Sequence, residues 1–228
     1  MSKKTIYGPH NFLVLAVLVL ILIIVVGLLL VGVGTAFEDV GFSPIVTALI
    51  LVATLIGSYI NIPMFKLKAT IPMIKEEFVS FFGIVYRIPE VEYGETATTV
   101  AINVGGALIP TSVSFYLLWK LPSAFLPALA GIFIVAAVTH VVARPVKGLG
   151  ITTPVFIPPL AAILSAFLLP SSSPKVIAYV SGVLGTLIGA DLSNLNVIPE
   201  LGAPVASIGG AGTFDGVFLT GIIAALLV

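Results

Sequence analysis

Apolar residues in this chain come in long unbroken runs, not in the alternation of a half-buried strand or the single stripe of a surface helix. The longest, Phe12–Gly34, contains no charged residue. A helix crossing a bilayer needs about 20 mostly apolar residues, and windows of roughly that size recur along the sequence. They are Phe12–Gly34, about Phe42–Ile60, Thr98–Trp119, Pro122–Ala143, Thr153–Leu169, Pro174–Ala190 and Ser207–Val228. The fifth is short and carries Pro158–Pro159, which predicts a kink. The pattern predicts an all-α, polytopic transmembrane bundle of about seven spans, folded as one integral membrane domain over residues 1–228. A membrane barrel is excluded, since its strands alternate apolar and polar positions.

Basic residues orient such a bundle, because short loops rich in Lys and Arg stay cytoplasmic. A cytoplasmic N-terminus puts Lys3, Lys4, Lys66, Lys68, Lys75, Arg87, Arg144 and Lys147 inside and only Lys120 and Lys175 outside. The C-terminus then lies outside. A leader peptide would share the Lys3–Lys4 start, but the run that follows is much longer than the core of about 7–15 residues that a leader carries. The one substantial loop, residues 61–97, holds Ile74–Arg87, where Phe78, Phe81, Phe82, Val85 and Tyr86 fall at helical spacing beside Lys75, Glu76 and Glu77. This predicts a helix lying in the cytoplasmic membrane interface.

Composition narrows the class further. Of 228 residues, 59% are hydrophobic and 9% charged, against about 25% charged in a soluble domain. That excludes a soluble enzyme and a disordered chain. Ten basic residues balance ten acidic ones, which leaves no basic footprint for nucleic acid. There is no cysteine, hence no thiol chemistry, and two histidines without any usual ligand spacing predict no metal and no cofactor. The expected partners are the bilayer and either a membrane-protein substrate or a small solute or ion; oligomeric state is not legible.

Short motifs recur in order. Thr54-Leu-Ile-Gly57 returns as Thr186-Leu-Ile-Gly189, Asn61-Ile-Pro63 as Asn196-Val-Ile-Pro199, Ser43-Pro44 as Ser173-Pro174, and Gly105-Gly-Ala107 as Gly209-Gly-Ala211. Four markers in one order predict a 3+1+3 parallel repeat: unit one at 12–119, a connector helix at 122–143 and unit two at 153–228. The alternative is that Gly-Gly-Ala only lets helices pack closely.

Charge inside a bilayer is costly and so points to function. Most acids fall in predicted loops. Asp191 and Asp215 do not: the first ends span six, and the second lies in span seven within Gly209-Gly-Ala-Gly-Thr-Phe-Asp-Gly216. Both belong to the second repeat unit alone. If Asp191 lies below the membrane surface, or if Ser207–Gly212 is unwound, the two carboxyls can meet, and then one activates water and the other protonates a leaving group. The alternative is that each caps a broken helix separately. Residues expected to line the same cavity are Gly189, Asn194, Ser207, Gly209, Gly210, Gly212 and Thr213, with Asn103 and Thr111 from the first unit. His140, Arg144 and Lys147 read as interface and topology residues.

Leu187-Ile-Gly-Ala-Asp-Leu192, Ser207–Gly216, Ala101-Ile-Asn-Val-Gly-Gly106 and Ala143-Arg-Pro145 resemble the motifs of a prokaryotic family of polytopic membrane proteins classed as a domain of unknown function. That resemblance covers most of the chain and implies no activity. More weakly, Asp191 and Asp215 resemble the acid pair of the presenilin and signal-peptide-peptidase group of intramembrane aspartyl proteases in order and helix polarity. Ala190 stands where that group has Tyr, and Thr213-Phe214 separates Gly210-Ala-Gly212 from Asp215. The resemblance implies an aspartyl protease with Asp191 and Asp215 as catalytic residues. An ion- or proton-coupled transporter or channel using the same acids is the second expectation, and a membrane scaffold without chemistry the third.

Overall fold

The protein is described by a computed structural model that covers residues 17, 20, 34, 37, 38, 41–82, 84–147, 150–210 and 216–228. The chain forms two compact units, Met1–Ala48 and Leu49–Val228. In the first, the rings of Phe37 and Phe42 meet at 5.4 Å, tilted. The expected span Phe12–Gly34 lies outside the described residues, apart from Val17, Leu20 and Gly34, which are helical.

After helix α1 (Pro44–Gly57) the chain turns into two long strands, β1 (Asn61–Phe81) and β2 (Ile84–Asn103). They pair antiparallel along their full length, from Asn61↔Asn103 to Phe81↔Ile84, with one register shift between Pro63 and Phe65. A π turn (Val104–Leu108) leads into α2 (Ile109–Lys120), and α3 (Phe125–Val142) follows. Strands β3 (Arg144–Val146) and β4 (Gly150–Thr152) form a small antiparallel pair. Then come α4 (Ile157–Leu168), α5 (Pro174–Thr186), a second π turn (Leu187–Asp191), β5 (Val205–Ile208) and α6 (Gly216–Leu227). Strand β5 adds parallel to the end of β2, giving a sheet of order β1-β2-β5.

The core is centred on α5, in which every residue from Val176 to Thr186 is buried. Helices α2, α3, α4 and α6 pack around it. Ile177 and Ala178 meet Val135 of α3, Ala162 and Ala166 of α4 and Ala224 of α6. Glycines set the distances: Gly131 abuts Ser181, Gly185 abuts Val135 and Gly189 abuts Ala136. These contacts rise together along both segments, so α3 and α5 run parallel.

The seven-span, all-α bundle is therefore not the architecture. Residues 61–103, expected to be a loop and the start of a span, form the hairpin, so span Thr98–Trp119 divides into the end of β2, a π turn and α2. The Thr96–Val100 stretch is rich in β-branched residues, which suit a pleated surface better than a helix. The interfacial helix expected at Ile74–Arg87 is likewise strand. Its i, i+3, i+4 pattern arises because apolar residues of two strands meet across the turn at Phe82, not because they share a helix face. Span Ser207–Val228 begins in strand β5, so it is not one helix from end to end; its described helix is Gly216–Leu227. Pro158 and Pro159 fall in the first turn of α4, where a missing N–H costs nothing.

The 3+1+3 repeat does not organise the chain either. Asn61-Ile-Pro63 opens a strand, whereas Asn196-Val-Ile-Pro199 runs into a 3-10 turn; the first Thr-Leu-Ile-Gly is plain helix and the second enters a π turn. Among the described residues, two helical stretches are long and apolar enough to cross a membrane, Pro122–Val142 and Pro174–Asn194. The apolar helices 44–57, 157–168 and 216–227 are shorter; at 1.5 Å per residue, 12 residues reach about 18 Å against a hydrocarbon thickness of about 30 Å.

Candidate functional site

Polar side chains converge where β2 and β5 run into their Gly-rich ends. Asn103, buried at the close of β2, donates through Nδ2 to the Ser58 carbonyl at 2.7 Å and to Asn61 Oδ1 at 3.0 Å. Its Oδ1 accepts from Gly106 N–H at 2.7 Å and so caps the first π turn. Ser207 donates to the same Asn61 Oδ1. One amide and one hydroxyl therefore join the end of α1, both ends of the hairpin and β5. Asn61 itself is exposed, so the cluster opens outward there.

The two Gly-Gly-Ala stretches come together at this point. Gly209 has φ +72°, which L side chains rarely adopt, and a Cβ on it would lie 2.6 Å from the Ala107 Cβ. Gly210 sits against Asn103 and Ser207, and its N–H donates to the Ser207 carbonyl at 3.2 Å. Gly105 packs so tightly under α1 that a Cβ would come within 2.0 Å of the Thr54 carbonyl.

Asp191 reaches this cluster from the other side. It is the last residue of the second π turn, half-buried, and its Oδ2 accepts from Gly209 N–H at 2.7 Å. A π turn widens the helix by one residue and is often found where a helix carries function. Asn194 closes the turn by donating to the Ala190 carbonyl at 2.8 Å and the Gly189 carbonyl at 3.3 Å. Both ion pairs of the described residues lie on the hairpin, Lys75–Glu92 and Arg87–Glu76, so Asp191 is held by a backbone amide and not by a cation.

Of the residues singled out by sequence, Asn103, Ser207, Gly209, Gly210 and Asp191 are brought together. Gly189 and Asn194 belong to the π turn behind Asp191; Gly189 packs on Ala136. Thr111 lies in the first turn of α2, its hydroxyl buried and without a hydrogen-bond partner among the described residues. Gly212, Thr213 and Asp215 lie outside the described residues; Gly210 and Gly216 flank them. Sequence reasoning missed Asn61 as a site residue. The signal was present, as an amide directly before Ile62-Pro63 in a chain with few polar groups, but it was absorbed into the repeat. No group of three or more acidic, His or Cys side chains able to hold a metal occurs among the described residues.

A helical layer with two membrane-length helices, and a carboxylate clamped to a Gly-rich segment at its sheet-bearing end, define the kind of protein this is. Residues 55–227, from the end of α1 through α6, match the family model described as "Protein of unknown function (DUF1614)", and the chain belongs to that family. No curated protein and no solved structure matches the chain. The family description carries no activity with it.

Proposed function

We propose that this protein is a membrane-embedded aspartyl hydrolase that cuts polypeptide segments within the bilayer, with Asp191 and Asp215 as its acid pair. One observation carries the reading. Asp191, at the end of the π turn that follows α5, is tied to Gly209, and Gly209 opens the segment that bears Asp215 six residues later, directly before α6. Amide hydrolysis needs water deprotonated as it attacks the carbonyl carbon and the amine protonated as the C–N bond breaks. Two adjacent carboxylates sharing one proton perform both steps, the ionised one as base and the protonated one as acid. Helices α3 and α5 cross the bilayer in this reading, and the exposed Phe125, Leu126 and Phe133 of α3 and Leu164 and Phe167 of α4 are apolar flanks for lipid. Arg144 and Lys147, just after α3, favour the cytoplasmic side for that end of the helix in this reading.

The test is cleavage of a reporter with one apolar spanning segment in proteoliposomes. Asp191→Asn and Asp215→Asn should each abolish cleavage; cleavage retained in either variant overturns the assignment. Asn at 191 keeps an oxygen for Gly209 N–H, so folding should survive.

A second reading has its own support. Gly105–Ala107 lies beside Gly209–Gly210, and the hydroxyls of Thr54 and Thr186 are buried without a hydrogen-bond partner among the described residues. Such groups suit passage of an ion or small solute along unwound backbone. Uptake into proteoliposomes that is lost in both Asn variants, with no cleavage by the wild type, would decide for it.

A further inference from the structure

We infer that the tip of the β1–β2 hairpin is a membrane-contact device that dips into the interface of a lipid bilayer. From Phe78 to Ile88 the chain carries a single charge, Arg87, and its apolar side chains occupy both faces of the ribbon. The cross-strand pairs alternate in face: Val79 is opposite Tyr86 on one side, and Ser80 is opposite Val85 on the other, with Phe78 opposite Arg87 next on that same side. Phe78, Val79, Phe82, Ile84, Val85 and Ile88 are all exposed, Phe82 to 92%.

This two-sidedness selects the occupant. A protein partner, or a second copy, covers one face of a ribbon and leaves the other in water. Lipid surrounds a tip from all directions, so only lipid calls for apolar side chains on both faces. An isolated two-stranded hairpin is at best marginally stable in water, and an apolar one needs cover.

The turn residue points the same way. Phe82 has φ 51°, a left-handed conformation in which Gly or Asn is the unstrained choice. A large aromatic is kept there in spite of its backbone, at the turn that closes the hairpin. Behind the tip, the ion pairs Arg87–Glu76 (3.1 Å) and Lys75–Glu92 (2.5 Å) mark where the ribbon becomes polar, with Arg87 also 5.4 Å from the centre of the Phe78 ring.

Depth follows from the open edges. Unpaired strand N–H and C=O groups are not tolerated in the hydrocarbon core, so the tip enters by about 10 Å, or about three residues at roughly 3.3 Å each. Tyr86 and Arg87 then lie at the headgroup level, where aromatic and basic side chains are favoured. The inference needs the helices to be in a bilayer but is independent of the acid pair.

The chain has one tryptophan, Trp119, exposed near the end of α2. Full-length protein in palmitoyl-oleoyl-phosphatidylcholine vesicles, with and without lipids brominated near the headgroup end of the acyl chain, gives the test. In a Trp119→Phe background, a Phe82→Trp probe should lose at least half its emission to the brominated lipid, and a Thr70→Trp probe halfway along the hairpin should not. A Phe82→Trp probe with water-like emission and no quenching overturns the inference. So does blue-shifted emission that ignores bromine and follows protein concentration, which would place a second copy on the tip. Quenching of wild-type Trp119 with none at Phe82→Trp rejects the hairpin alone; no quenching at either position rejects the bilayer setting as well.

Discussion

Helix α5 and the outer hairpin are both apolar, yet the first is buried on every side and the second on neither. Eleven consecutive residues of α5, Val176–Thr186, are enclosed by α2, α3, α4 and α6, and the carboxylate of Asp191 comes only in the π turn that follows. Beyond Thr70 and Glu95 the two strands pair up to Phe81↔Ile84, and the side chains of Ile74, Phe78, Phe82, Ile84, Val85 and Val91 are exposed. Regular hydrogen bonding is thus common to both, and packing separates a buried positioning element from an arm with many exposed apolar side chains.

Substitutions should reveal this contrast directly. Gly189→Val should be the most damaging change, since a Cβ there would lie 2.3 Å from the Ala136 carbonyl and neither backbone can yield. Loss of folded protein, about 4 kcal/mol or more, is expected on size-exclusion chromatography in detergent. Ile177→Ala empties volume between α3 and α4 and should cost about 2–5 kcal/mol, read from the shift in thermal melting. Asn103→Ala strands the Ser58 carbonyl and the Gly106 N–H, and a loss of about 2–3 kcal/mol is expected, with hydrogen exchange rising at Gly106. On the arm, Phe78→Ala should move the melting midpoint in detergent very little, by about 0.5 kcal/mol or less. A cost from Phe78→Ala as large as that of Ile177→Ala would mean that the hairpin is packed after all.

The smallest effect concerns charge. A hydrogen bond from Lys75 to Glu92, and the attraction of that carboxylate, hold the ammonium above its ordinary pKa of 10.5. A cation with a raised folded-state value adds stability at lower pH and loses it only as pH climbs through that value. Hairpin fraying attributable to this pair should therefore begin above about pH 10.5, and salt should remove the dependence, because the pair is exposed. Amide exchange at Ile74 and Val91 checks it.

Much of this was legible in the sequence, for reasons that differ by element. Pro122–Val142 and Pro174–Asn194 stand out because continuous apolar length survives any tertiary context. The hairpin was hidden because Phe78, Phe81, Phe82, Val85 and Tyr86 imitate helical spacing across a turn, and because a two-sided apolar ribbon lacks the alternation that betrays a strand. Asp191 drew notice as a lone acid among glycines, and so did Gly209. Their hydrogen bond was not foreseeable, since it depends on β5 joining β2 in parallel, a pairing between segments about a hundred residues apart. Asn61 was visible as an amide before Ile62-Pro63, but its bonds to Asn103 and Ser207 were not, since those come from distant strands.

The central claim is that Asp191 and Asp215 work as one pair. The chain has no cysteine, so an Asp191→Cys/Asp215→Cys variant can be oxidised in membranes without side reactions, and Cα atoms about 4.4–6.8 Å apart allow a disulfide. The cross-strand pair Lys66→Cys/Thr99→Cys serves as the positive control. The account predicts an intramolecular disulfide between positions 191 and 215 that forms as completely as the control. Free thiols at both acid positions, with the control fully cross-linked, would contradict it.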